Sequence, residues 1–249
     1  MGSTSLIEIT PLLPLSLLVL IALGMAAARL GRLGHAPAIA TACLRAAVQL
    51  AAVSAVITWV ITLPAAVAAF VLLMYGVAAY TAGRRITGGP GWQWAALPIA
   101  TGTFPVLAIL MATRVVSPDG IVIIPIAGIL LGGCMTATTL AGKRALDELA
   151  QRRGEVEAAL SLGFLPREAR LEICRPAAAQ ALVPALDQTR TVGLVTLPGA
   201  FVGMLLGGAG PLEAGVVQLV VLVALLAAEA VACVTTVELA ARVKISLRP

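Results

Sequence analysis

The stretch "AGVVQLVVLVALLAAEAVACVTTVELA", residues 214–240, decides what kind of fold this chain can have. Up to Glu238 its only charged side chain is Glu229, and it shows none of the two-residue alternation of a half-buried strand. About 20 mainly apolar residues are enough for a helix to cross a bilayer. The stretch therefore reads as a membrane-spanning helix with one carboxyl group near its middle.

The rest of the chain agrees. Of 249 residues, 60% are hydrophobic and 12% charged, with a mean hydropathy of +1.02, where a soluble domain has about 25% charged residues. The 24 glycines and 15 prolines suit closely packed and kinked membrane helices. The net charge of +5 does not argue for a nucleic-acid partner, because the basic residues are spread over short connections. Cys43, Cys134, Cys174 and Cys233 are far apart and have no CxxC spacing, which argues against a disulfide framework or a structural zinc site. The opening "MGSTSLIEITP" lacks the positive region of a cleaved signal, so the first apolar run is read as a true span.

Apolar runs at about 11–28, 38–61, 64–82, 94–113, 121–141, 181–206 and 214–240 predict an all-α polytopic membrane protein of about seven transmembrane helices. Residues 1–249 are read as a single transmembrane domain. Fourteen of the 17 basic residues lie in alternate connections, including Arg29, Arg32, Arg84, Arg85, the group from Lys143 to Arg175, and Arg242, Lys244 and Arg248. The other side receives only Arg114. The positive-inside rule then places the N-terminus outside and the C-terminus in the cytoplasm.

One sizeable cytoplasmic connection remains, about 142–180, and it contains "EAALSLGFLPREAR" at 157–170. Pro166 suits the first turn of a helix, and Glu168 complements the positive helix end. The expected shape is helix, turn at 163–165, helix, and such a segment could lie flat on the membrane. Its spacing goes further. Glu157-Ala158-Ala159, three residues, Gly163, nine residues, Ile173, one residue, then Arg175-Pro176 resembles the EAA loop of ABC-transporter permeases, with Arg175 where that motif usually has Leu.

"RAAVQL" at 45–50, "GGCMTATTLA" at 132–141, "EAALSLGFLPREA" at 157–169 and "DQTRTVGLVTLPGAFVGMLLGGAGPLEA" at 187–214 are similar to the FetB-type family of ABC permeases. That family includes bacterial iron exporters and plant aluminium-tolerance half-transporters. The resemblance runs from Arg45 onward. "GGC" at 132–134 stands where iron-exporter members are expected to carry Gly-Asn-Thr.

The resemblance implies a permease homodimer in the lipid membrane, an ABC ATPase partner docking on residues 155–175, and export of iron or another metal. Glu155, Glu157, Ala158, Ala159, Gly163, Phe164, Leu165 and Pro166 would form the docking element. The chain has no Walker A sequence, since "AGKR" at 141–144 lacks the first glycine and the Ser/Thr. ATP and magnesium are therefore expected on the partner, with no catalytic residue and no cofactor on this chain.

Ionisable groups within spans cost about 2.5–3.5 kcal/mol on insertion scales and call for an explanation. Arg45 and Gln49 share a helix face and are either pathway groups or snorkelling ones. Asp187 and Arg190 either pair with each other or gate the path. Glu229 has no basic residue within a turn, and with Met135 and Thr136 it joins the candidate pathway residues. Cys134, Met135, Glu229 and Cys233 offer a carboxylate, thiols and a thioether to a soft or borderline cation, although Cys and Met are also ordinary packers. His35, in a basic connection, reads as solvated.

Gly199, Gly203 and Gly207 form a small-residue ridge behind Pro198. That pattern suits close helix packing, or a half-helix beside a permeation path. A nucleotide-sugar exporter using Thr136, Thr138, Thr139 and Thr191 is the rival within the scaffold. A proton-driven secondary transporter using Glu229 is the rival outside it.

Overall fold

A computed structural model describes residues 12–243 and 245. The N-terminal signal reading and the basic residues Lys244 and Arg248 lie outside the described residues. The chain divides into two compact units, residues 1–59 and 60–249.

The first unit holds α1 (Leu12–Leu30) and nearly all of α2 (Ala36–Val60). Their turn is closed by the Gly31 amide donating to the Ala27 carbonyl at 2.9 Å and the Leu33 amide to Ala28 at 2.9 Å. Most of their leucines and valines are exposed, as suits helices meeting lipid.

The second unit contains α3 (Pro64–Thr87), α4 (Ala96–Ala112) after a 3-10 turn at Trp92–Ala95, α5 (Gly120–Gln151), α6 (Arg153–Ser161), α7 (Pro166–Ala179), α8 (Val183–Thr191), α9 (Gly199–Leu206) and α10 (Pro211–Ala241). The all-α reading holds, with no strand among the described residues beyond an isolated bridge between Val192 and Thr196.

Among the described residues, six helical segments are long and apolar enough to cross a membrane: α1, α2, α3, the turn with α4, α5 and α10. The run at 181–206 is apolar too, yet it forms a broken pair, α8 and α9, with non-helical backbone over 192–198. Pro198 has no amide hydrogen to donate, and Gly193 sits at φ +81°, so the helical ladder stops and restarts. Helix α5 continues ten residues past the end of its apolar run. Its extension contains Lys143, Arg144, Asp147 and Glu148, among which Lys, Arg and Glu favour helix as strongly as Leu does.

Helix α5 is central to this unit, packing on α3, α4, α7 and α10. The α4–α5–α10 core mixes leucine and isoleucine with small side chains, including Ala127, Cys134, Ala228 and Ala232. A second cluster, around Ala141, Ala145, Cys174, Ala178, Ala240 and Ile245, joins α7 to the ends of α5 and α10. Lipid tails are as apolar as leucine, so close van der Waals contact holds such helices together rather than escape from water. Gly102 shows how close the approach is: a Cβ there would lie 2.5 Å from the Ala228 carbonyl oxygen and 2.8 Å from Cys134 Sγ.

Candidate functional site

The connection expected to be a helical hairpin is one. Helix α6 carries Glu155, Glu157, Ala158 and Ala159, and buries no residue. Its end is closed by amides of Leu162 and Phe164 donating to the Ala159 carbonyl at 3.1 Å each. Gly163 sits at φ +92°, a conformation that side-chain-bearing residues rarely adopt. Leu165 is extended, Pro166 opens α7, and the Glu168 carboxylate accepts from the Leu165 amide at 3.4 Å. The turn therefore presents Phe164, 46% exposed, and Leu165, 63% exposed, at its tip.

Helix α7 is amphipathic and well seated. Ala169, Leu171, Ile173, Cys174 and Ala178 are buried, and burial pushes the Cys174 thiol up from its ordinary value. At the other end of the hairpin, Arg152 joins α5 to α6. Its Nε donates to Glu155 Oε1 at 2.7 Å, and its Nη1 lies 3.6 Å from Glu148. The bonded guanidinium holds the Glu155 carboxyl below the ordinary glutamate range.

Arg167 of α7 grips Glu238 of α10 with two bonds, Nε to Oε1 at 2.5 Å and Nη2 to Oε2 at 2.7 Å. Arg242 adds a 2.6 Å bond to the same carboxylate, and Arg170 Nη1 donates to the Ala241 carbonyl at 3.2 Å.

Within the span, Glu229 is 7% exposed and has no hydrogen-bond or ion-pair partner among the described residues. Its carboxylate lies against α5 at Gly133, where a Cβ would stand 2.6 Å from Glu229 Oε1. Cys134, Cys233, Thr103 and Thr138 are buried in the same α4–α5–α10 region, and the Thr138 hydroxyl has no hydrogen-bond partner among the described residues. Cys233 Sγ is 4.0 Å from the Ala137 carbonyl. Among the described residues, no three His, Cys, Asp or Glu side chains group so as to hold a metal ion. Met135 is half-buried beside this core and Thr136 is exposed.

The profile of the uncharacterised protein family UPF0014 matches residues 11–244. The chain belongs to the UPF0014 family. It is 38% identical over 226 residues to the "UPF0014 membrane protein STAR2" of Oryza sativa subsp. japonica, covering 89% of this chain and 79% of that one. It is 40% identical over 166 residues to "Protein ALUMINUM SENSITIVE 3" of Arabidopsis thaliana, covering 66% and 61%. Against the "Probable iron export permease protein FetB" of Escherichia coli strain K12 it is 31% identical over 125 residues, covering 50% and 48%. No solved structure matches the chain. A UPF0014 chain with six such helices is a multi-pass membrane protein.

The remaining site residues of this UPF0014 member lie on several elements. Arg45 and Gln49 are exposed on α2 in the first unit. Asp187 and Arg190 pair with each other at 3.5 Å on an exposed face of α8. Gly199 and Gly203 have open space where a Cβ would be, and Gly207 caps the end of α9. Two contributors were not singled out by the sequence. Gln218 is buried on α10 and accepts from the Phe201 amide at 3.3 Å, satisfying one of the free N–H groups that open α9. Glu238 receives Arg167 from 71 residues away. A lone Gln inside an apolar run, and an acid at a span end facing a connection rich in arginine, were the available signals.

Proposed function

We propose that this protein is the membrane-spanning subunit of an ABC-type transporter, energised by a separate ATPase that docks on residues 155–175. The observation that carries the reading is the α6–Gly163–α7 hairpin with Phe164 and Leu165 exposed at its tip. Exposed apolar anchors beside a tight turn are what a partner's pocket can take up. The FetB relative is named as a permease, which agrees with a transport subunit that leaves ATP chemistry to its partner.

In this reading the hairpin lies in the cytoplasm, the N-terminus is outside, and two copies of the chain form the translocation path. ATP binding closes the ATPase dimer, the hairpins move with it, and the spans alternate between inward and outward openings. The transported solute is iron or another metal, as the name of the FetB relative suggests.

The test is co-purification with a co-encoded ABC ATPase, followed by ATP-driven transport in vesicles. Gly163→Arg combined with Glu157→Arg is expected to abolish both docking and transport. Unchanged transport in that double variant contradicts the reading. The solute is tested separately, through the metal content and metal sensitivity of a deletion strain.

A further inference from the structure

We propose that Glu238 is the joint through which movement of the α6–α7 hairpin reaches the membrane core, with Arg167 as its mate and α10 as the rod that carries the motion to α9. This inference rests on the docking role proposed for the hairpin, and assigns it a transmission route.

Three observations converge. The first is the joint itself. The two-pronged Arg167–Glu238 contact fixes direction as well as distance, because a planar guanidinium meets a carboxylate along two parallel bonds. Arg242, just past the end of α10, braces the same carboxylate, and Arg170 holds the Ala241 carbonyl. An arginine stays charged at every physiological pH, and the bonded Glu238 carboxylate only raises the Arg167 guanidinium further above its ordinary value.

The second is open space beside α6. A cavity of about 530 Å³ lies between α6, Arg170 of α7 and the ends of α5 and α10, bordered also by Leu149, Arg153, Val156, Glu157 and Ile245. Helix α6 packs chiefly on α7, so a push on the docking tip is handed to α7, and α7 is bonded to α10.

The third is the rod. Between Gln218 and Glu238, α10 has neither proline nor glycine, whereas α4, α5 and α7 each contain an internal proline. Twenty residues of unbroken helix span about 30 Å. At the far end Gln218 holds the first turn of α9 through the Phe201 amide. Helix α9 buries no residue and is preceded by a non-helical stretch with Leu194 89% exposed, so it can follow that pull. Glu238 and Arg167 act by position and touch no solute.

The experiment uses the full chain with its co-encoded ATPase in lipid nanodiscs. Spin labels at Lys143→Cys on α5 and Val195→Cys before α9, in a Cys43→Ser background, report their separation with and without trapped ATP. An Arg242→Gln background leaves Glu238 a single partner. We expect Glu238→Arg alone to keep the ATPase bound and hydrolysing while the ATP-dependent distance change disappears. The charge-swapped double variant is expected to restore it. A full distance change in the Glu238→Arg variant overturns the proposal. So does a loss that the swap fails to restore, because it marks the pair as merely structural. If the unmodified chain retains no ATPase, the docking role itself fails, a result distinct from retention without transmission.

Discussion

Gly133 and Glu229 meet where α5 and α10 approach each other, and the contact leaves no room for a side chain on the α5 side. A Cβ at 133 would meet Leu225 Cδ1 at 2.3 Å and Glu229 Oε1 at 2.6 Å, both far ends of side chains that can rotate. At Gly102 the obstacle is the Ala228 carbonyl oxygen, which belongs to a helix backbone. Overpacking that cannot relax costs about 1–3 kcal/mol. Gly102→Ala is therefore expected to lower the thermal midpoint of the detergent-solubilised protein clearly, and Gly133→Ala to lower it less. Equal effects would count against the α4–α10 contact described above. The Arg152–Glu155 tie sets a pH expectation. Because the folded value of Glu155 is depressed, the tie's contribution is complete above the ordinary glutamate value, about 4.3. It is lost only as pH falls through that lower value. Protection factors for α6 amides, measured by hydrogen exchange, should thus stay level from neutral pH down to about 4.3 and fall below it.

At the scale of elements, two short helices carry the mechanical argument. Gly163→Val places a β-branched residue at φ +92°, where left-handed backbone costs about 1–2 kcal/mol. It is expected to unwind the hairpin tip and weaken ATPase co-purification, while the spans keep their melting behaviour. Gln218→Leu removes the acceptor for the Phe201 amide, and losing such a helix-start bond costs about 0.5–2 kcal/mol. Faster hydrogen exchange over residues 199–203, with α10 unchanged, is the expected readout.

These elements also show how far the sequence could be read. The hairpin was legible because local chemistry builds it: Pro166 begins a helix, Gly163 turns, and alternating charge and apolar residues make α7 amphipathic. The six long helices were legible because about 20 apolar residues leave few other structures in a bilayer. The break between α8 and α9 was only half visible. Hydropathy counts Leu194, Val195 and Leu197 as it counts helix residues, and Pro198 and Gly193 warned of a weak ladder without saying that it ends. The Arg167–Glu238 joint was not legible, since nothing local links residues 71 positions apart. The cysteines, Met135 and Glu229 were legible as types, but their mutual geometry depends on how three helices pack.

At the scale of the whole molecule, this is a multi-pass UPF0014 membrane protein, with the proposed docking surface on one connection and buried polar residues in the spans. The basic connections predict a cytoplasmic hairpin and an external N-terminus. Single cysteines introduced at exposed Leu162 and at exposed Val115, again in the Cys43→Ser background, should react from opposite sides of sealed vesicles with an impermeant maleimide. Labelling of both from one side would refute the topology. The central claim, that the hairpin receives an ATPase, is tested most directly by site-specific photocrosslinking from Phe164 in cells expressing the co-encoded ABC ATPase. The account predicts a crosslink to that ATPase, lost in Gly163→Arg, whereas crosslinks to lipid alone would contradict it.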